Sequence, residues 1–298
     1  MLKLIKKMRQ ASLLIGCFVY DFRVFLKGYG GLKRVDKEAT ESWLLQDIHR
    51  IEKGFTLRNP RSNYGWAVLR RLDGNIKLAK HNGQLSNGIE RYLGSVMSAY
   101  RVKNEIPDDC AELALAESQD SYHANLPYRP KDLMGASFDK IIEKRRSVRQ
   151  FDRETSLQNI ERALAAARGT PSVCNRQYIG TSVLTGDEMS KALELQNGND
   201  SFRSEIKQVL VVYARLRYLT SPYERYQGYI DGGMYCMNLI NYLAFLGVGS
   251  CPLNWSATPR NDQKLKSLGV VPKNSSVVMM IAIGEVDDTI STASSRKI

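Results

Sequence analysis

The chain has 298 residues, 43% of them hydrophobic, enough to bury a sizeable core and to exclude an intrinsically disordered protein. Its 43 Lys and Arg against 31 Asp and Glu give a net charge of +12, which points to an anionic partner: phosphate groups, nucleic acid or a membrane surface. Five scattered cysteines without a CxxC pair, and three histidines far from them in sequence, argue against a disulfide framework and a zinc site, so no metal is expected.

Much of the charge sits at the start, where residues 1–37 hold nine Lys or Arg against Asp21 and Asp36. Basic "MLKLIKKMRQ" followed by apolar "ASLLIGCFVYDF" imitates a signal peptide, and "LIGC" imitates a lipoprotein box at Cys17. Asp21 and Arg23 break the apolar run well short of the roughly 20 residues that span a bilayer. The expectation is instead a basic amphipathic segment that docks on a partner protein or lies on an anionic membrane. Free thiols in odd number suit a reducing cytoplasm, so the expected location is cytoplasmic, with membrane association through this tail. Nucleic acid is the disfavoured partner, because no recognition module accompanies the charge.

Residues 36–125 read as helical. In "DKEATESWLLQDIHRIEKG" the apolar positions Trp43, Leu44, Ile48 and Ile51 recur at helical spacing, and Gly54 is placed to end the helix. Further helices are expected over Leu85–Tyr100 and Asp108–Ser118. "HANLPYRPKDLMGAS", with two prolines and a glycine, is the linker candidate, giving a basic tail and helical extension over 1–135 and a second domain over 136–298.

In that second domain "FDKIIEKRRS" reads as a short helix. "TSLQNIERALAAARGTPS" reads as a strong one, with Thr155 and Gln158 spaced as a capping box, a stripe of Leu157, Ile160 and Leu164, and Gly169 and Pro171 as stops. Strands rich in β-branched residues follow at about Tyr178–Leu184, Val209–Ala214 and Val277–Ile283. Between the last two, "YIDGGMYCMNLINYLAFLGVG" is a helix apolar on nearly every side, closed by Gly247, that belongs at a domain centre or a dimer interface. Mixed elements without strict βαβ alternation predict an α+β fold, a sandwich with a mostly antiparallel central sheet flanked by helices.

Four stretches carry the chemistry. In "KRRSVRQFD", Arg145, Ser147 and Arg149 could converge on one small anion if the segment extends, and arginine forks with a hydroxyl suit a phosphate ester. In "GTPSVCNRQ", Ser172, Asn175 and Gln177 offer neutral groups from a loop, suited to a heteroaromatic ring edge or a ribityl chain. "LGVGSCPLNWSATPRND" reads as an irregular segment whose backbone N–H groups can face a ligand. The end of the chain, after a strand closing at Gly284, is a polar tail leading to Arg296 and Lys297. Singly, each of these has an ordinary structural explanation as a solvated loop, a turn or a frayed end.

In order and spacing the four resemble the nitroreductase family of FMN-dependent oxidoreductases, over about residues 138–298. The matching pieces are Arg145–Phe151, Pro171–Gln177, Leu246–Leu253, Ile283–Gly284, and Arg296 with Lys297. The resemblance implies a homodimeric α+β sandwich with two flavins at the interface. Arg145, Ser147 and Arg149 would hold the FMN phosphate and ring edge, with Arg146 in the same set and Arg296 closing on the phosphate. Pro171, Ser172, Asn175 and Gln177 would border the flavin, in one arrangement from the second subunit, and main-chain groups of Pro252, Leu253 and Asn254 would lie near N5 and O4. Asn254, where relatives often carry Glu or Gly, and Tyr178, where many have Pro after Gln, depart from the pattern. On this reading Cys174 and Cys251 sit close to the flavin, although small buried residues of this kind are commonly space-fillers.

The extension stretch "HRIEKGFTLRNPRSNYG" resembles one on a subset of nitroreductase-like proteins associated with bacterial polysaccharide biosynthesis. His49 and Glu52 lie at helical spacing and are the catalytic candidates, able to present an acid-base group; the alternative is an exposed pairing on a surface helix. The resemblance implies an NAD(P)H:acceptor oxidoreductase in which NADH or NADPH reduces the flavin and hydride passes, by a ping-pong mechanism, to a small-molecule acceptor. The alternatives are a flavin-dependent dehydrogenase, or a low-turnover flavin-binding protein in a polysaccharide-biosynthesis pathway.

Overall fold

The computed structural model describes residues 2–28, 37–117 and 125–293; Arg296, Lys297 and His123 lie outside the described residues. The chain divides into two compact units, one built from Met1–Val24 and Arg129–Asp288, the other from Phe25–Tyr128 and Thr289–Ile298.

The second unit is helical: α2 (Lys37–Gly54), α3 (Trp66–His81), α4 (Asn87–Arg101) and a single turn α5 (Ala111–Ala114). Of the stripe read from the sequence, Leu44, Ile48 and Ile51 bury, packed on Leu69, Leu72 and Ile76 of α3 and Leu93, Val96 and Met97 of α4, while Trp43 stays half-buried outside this core. Each such side chain contributes about 2 kcal/mol by leaving water. The helix expected over Asp108–Ser118 stops after one turn, and the Arg101 guanidinium takes up the carbonyls of Leu113, Ala114 and Ala116. Gly54 ends α2 and is needed for a further reason: a Cβ there would come within 2.1 Å of the Tyr64 ring. That ring is pinned by its hydroxyl, which donates to the Ile51 carbonyl at 2.8 Å, and by edge contacts with Phe55 and Tyr100.

Over its described residues, 125–137, the linker candidate is structured. It holds strand β1 (Asn125–Tyr128) and a 3₁₀ turn at Pro130–Leu133. Strand β1 pairs antiparallel with β6 (Ile290–Ala293), drawn from the region read as a polar tail, with Leu126 opposite Thr292.

The other unit carries α1 (Leu2–Gly28, docked here over its first part), α6 (Phe138–Lys144), α7 (Leu157–Ala167), α8 (Gly186–Glu194), α9 (Gln227–Phe245) and α10 (Pro259–Ser267). Its sheet is formed by β2 (Ile179–Leu184), β3 (Gln208–Arg215), β4 (Gly249–Asn254) and β5 (Ser275–Gly284), in the order β2-β3-β5-β4 with every pairing antiparallel. This is the α+β arrangement expected. Strand β3 is buried along nearly its whole length, and α9 covers the sheet with Tyr235, Leu239, Ile240 and Leu243 against Leu210, Val212, Ile281 and Ile283. Gly247 takes φ 73°, and Val248 N–H returns to the Leu243 carbonyl at 2.9 Å, closing α9 where the sequence placed its end.

Two local readings change. The cap of α7 is Ser156, whose Oγ accepts from Asn159 N–H at 3.2 Å, not Thr155, whose own N–H donates to Gln208 Oε1. Its buried stripe is accordingly Ile160, Ala163 and Ala167, while Leu157 is exposed; the small alanines let α7 approach α9 closely. The "irregular" segment after Gly247 is strand β4, since Gly249–Asn254 pair residue for residue with Gly284–Met279. Pro252 is tolerated there because strand alternation turns its missing N–H away from β5, toward the sheet edge.

Candidate functional site

Helix α6 ends at Lys144, and the chain then extends along the outer edge of β4. Ser147 forms a parallel bridge with Ser250, and Val148 N–H donates to the Ser250 carbonyl at 2.9 Å. The extended segment is therefore real, but exposure does not alternate along it: residues 145–147 keep partial exposure, while Val148, Arg149 and Gln150 are buried. Arg149 is buried at 7%. Arg146 turns back to the end of α6, donating to the carbonyls of Glu143 at 2.7 Å and Arg145 at 3.0 Å, so it serves as a helix cap here. Beyond it, Phe151 and the Arg153 carbonyl pack on Gly284 so closely that a Cβ there would meet both at 2.9 Å. Arg153 bridges Glu285 and Asp287, and with Lys131 holds the Asp287 carboxyl down at about 2.

The second stretch lies just before β2. In it Cys174, Asn175 and Gln177 all take positive φ, between 48° and 52°, a conformation that side chains other than glycine adopt at a cost and that clusters at functional sites. Gln177 N–H donates to Ser172 Oγ at 2.9 Å, and Gln177 Nε2 to Asn175 Oδ1 at 3.1 Å, so the three neutral residues form one connected group. Cys174 is exposed, while Cys251 is buried in β4.

Two acids that the sequence reading passed over hold this loop. Asp231, 1% exposed in the first turns of α9, accepts from Val173 N–H at 2.9 Å and Tyr178 Oη at 2.7 Å on one oxygen, and from Gln227 Nε2 at 2.7 Å on the other. Burial, then the Asp231 hydrogen bond and charge, push the Tyr178 hydroxyl well above its ordinary range. Glu224 grips the Arg176 fork at 2.7 and 2.8 Å and also accepts from Thr220 N–H. Arg176 and that amide hold its carboxyl at about 2. For Asp231 the available signal was a carboxylate inside an otherwise apolar helix, because a buried acid needs partners. A cleft of about 100 Å³ opens here, lined by Thr170, Pro171, Ser172, Gln177, Asp231 and Tyr235.

The third group lies on β4. Leu253 is buried, Asn254 is exposed, and the Asn254 carbonyl accepts from Gln196 Nε2 at 2.8 Å. By strand alternation the main-chain groups of Ser250, Pro252 and Asn254 face the edge and those of Leu253 face β5. Of the three predicted residues, then, Asn254 offers an outward N–H.

Register fixes how far apart these groups lie. Ser147 sits beside Ser250, which pairs with Ile283; the 170–177 loop leads into Ile179, which pairs with Ala214 opposite Ser276. Four strand steps across and seven residues along give a separation on the order of 30 Å, the diagonal of the sheet. One chain therefore does not bring Arg145, Ser147 and Arg149 together with Ser172, Asn175 and Gln177.

In the helical unit His49 and Glu52 do meet. His49 Nδ1 lies 3.3 Å from Glu52 Oε2, which also accepts from Tyr92 Oη at 2.8 Å; the imidazole is half exposed and the carboxylate buried. Among the described residues no cluster of His, Cys, Asp and Glu could hold a metal ion.

No protein-family profile matches the chain, and no curated protein matches it. Solved structures do resemble it over about half its length. One is an FMN-dependent nitroreductase of Clostridium difficile R20291, 20% identical, covering 50% of this chain and 88% of its own, with a TM-score of 0.44. A nitroreductase family protein of Clostridium difficile 630 is 21% identical, covers 51% and 86%, and scores 0.43. A protein of Desulfovibrio desulfuricans, provisionally named a nitroreductase and solved with FMN, is 20% identical, covers 54% and 91%, and scores 0.46. At these identities and scores the functional reading rests on the site itself.

Proposed function

We propose that this chain is an FMN-dependent oxidoreductase that takes hydride from NADH or NADPH and delivers it to a small-molecule acceptor, with each flavin shared between two copies of the chain. The observation that carries this reading is the diagonal placement of the two donor groups. The arginine stretch offers guanidinium forks and the Ser147 hydroxyl, a donor set that fits a phosphate ester. The Ser172, Asn175 and Gln177 group offers neutral hydrogen-bonding atoms, a set that fits a flavin ring edge.

The cleft beside the second group, about 100 Å³, is smaller than the roughly 300 Å³ at which ligand pockets begin, so one chain supplies part of a site. A second copy related by twofold symmetry would bring its own loop to the first copy's arginines. Helix α9 offers the surface for this. Its inner face fills the core, while Ile230, Met234 and Met237 stay 41% to 54% exposed along its outer face.

Bound in such a site, FMN would supply the hydride acceptor and donor. The chain's own work would be to neutralise phosphate charge with Arg145 and Arg149, to orient the ring edge through Ser172, Asn175 and Gln177, and to hold that loop in its strained conformation through Asp231. The main-chain N–H of Asn254 would polarise the ring. The cluster of His49, Glu52 and Tyr92 is assigned no step.

Sharing can be tested by mixing. Arg149→Ala and Asn175→Ala chains should each bind FMN poorly as separate preparations. Refolded together, half-and-half dimers carry one site with both lesions and one with neither, restoring about a quarter of the wild-type sites. Absence of recovery in a mixture shown to contain mixed dimers would defeat the shared site.

A further inference from the structure

The first helix answers to none of the chemistry above. Ile5, Met8, Ser12, Ile15, Val19 and Phe22 follow one another at alternating steps of three and four, so they lie along a single stripe of α1. The stripe faces solvent: Met8 is 65% exposed, Ile15 64% and Phe22 64%. The same unit holds α1 from roughly the opposite side. Arg225 donates to both oxygens of Asp21, and its guanidinium and the Tyr226 hydroxyl together lower the Asp21 carboxyl, while Leu14 and Phe18 line a cleft with Leu219, Pro222 and Tyr229. The helix is thus fixed to the protein with its apolar stripe turned outward.

We propose that α1 docks the protein on an anionic lipid surface, laying the stripe of Ile5, Met8, Ile15, Val19 and Phe22 into the boundary between headgroups and acyl chains. Charge selects this occupant. Exposed Lys6, Lys7, Arg9 and Arg23 share the helix with one acid, Asp21, which Arg225 already holds. Basic residues on a helix with an apolar aromatic-bearing face are what an anionic bilayer surface retains. A second copy of α1 fits worse, because a two-helix seam needs opposite charges along its borders, and Arg9 and Arg23 border this one. The helix would lie on the membrane rather than cross it, since no described helix is long and apolar enough to span.

The test is flotation of the full-length protein with vesicles of equal parts phosphatidylglycerol and phosphatidylcholine, and with vesicles of phosphatidylcholine alone. Binding should be at least about tenfold tighter to the anionic vesicles and should weaken in high salt. Ile15→Asp and Phe22→Asp should each lower it about tenfold or more without altering the far-ultraviolet circular dichroism, because both side chains face solvent. Lys6→Gln, Lys7→Gln and Arg9→Gln combined leave the stripe intact and should cost on the order of a hundredfold, about fivefold per charge. Failure to float with anionic vesicles, or equal binding to both kinds, would overturn the proposal. So would a dimer in solution that Ile15→Asp dissolves, which would give the stripe to a second copy.

Discussion

Replacing Asp231 by Ala tests the idea that the loop before β2 is held in place by one buried carboxylate. The change removes acceptors from three donors: Val173 N–H, Tyr178 Oη and Gln227 Nε2. Gln227 can rotate to other partners, but Tyr178 is fully buried and the Val173 amide is partly so, leaving two polar groups unpaired. At about 1 to 3 kcal/mol for each, the cost is about 4 kcal/mol. For a unit of this size that lowers the melting temperature by about 8 to 16 °C. Asp231→Asn should cost less, about 1 to 2 kcal/mol, because its remaining oxygen can keep the Val173 and Tyr178 bonds while Gln227 turns its amide. Circular dichroism melts of the two variants beside Tyr178→Phe measure this directly. If Asp231→Ala melts within about 1 °C of wild type, the clamp is not what orders the loop.

Other outcomes follow from the same structure. The Glu224 carboxyl is lowered from 4.5 to about 2 by Arg176, so its contribution is complete above pH 4.5 and is lost as pH falls from 4.5 toward 2. Acid titration of stability should therefore flatten in that window for Glu224→Gln. Gly54→Ala should destabilise by about 1 to 3 kcal/mol, because the new methyl displaces the Tyr64 ring from its bond to Ile51; chemical denaturation would read it. Arg149→Lys keeps a charge but loses the fork, and FMN titration should show about tenfold weaker binding.

The parts of the fold that were legible in the sequence are those set by local periodicity. The stripe of α2, the β-branched strands β2, β3 and β5, and the closure of α9 at Gly247 all sit within a residue or two of where the pattern put them. Strand β4 was hidden because Ser-Cys-Pro-Leu-Asn has neither alternation nor β-branching, and its conformation comes from pairing with β5, a non-local contact. Strand β6 was hidden for the same reason, its partner β1 lying far upstream in the chain. At the candidate site the residue types were readable, while their spatial division entered only as one arrangement that the family resemblance implied. Arg145 and Gln177 stand 32 residues apart in the chain, and it is the strand order β2-β3-β5-β4 that sends them to opposite corners. The positive φ of Cys174 and Gln177 carries no sequence signal, and Asp231, which bonds the loop at Val173, lies more than fifty residues later in the chain.

The most direct test of the account is the visible spectrum of the purified protein, with FMN added if needed, followed by anaerobic addition of NADH and then NADPH. Flavin absorption that stays with the protein and bleaches on adding either nicotinamide is the predicted result. A protein that neither carries nor takes up FMN would contradict the account, because the arginines along β4 would then serve some other anion.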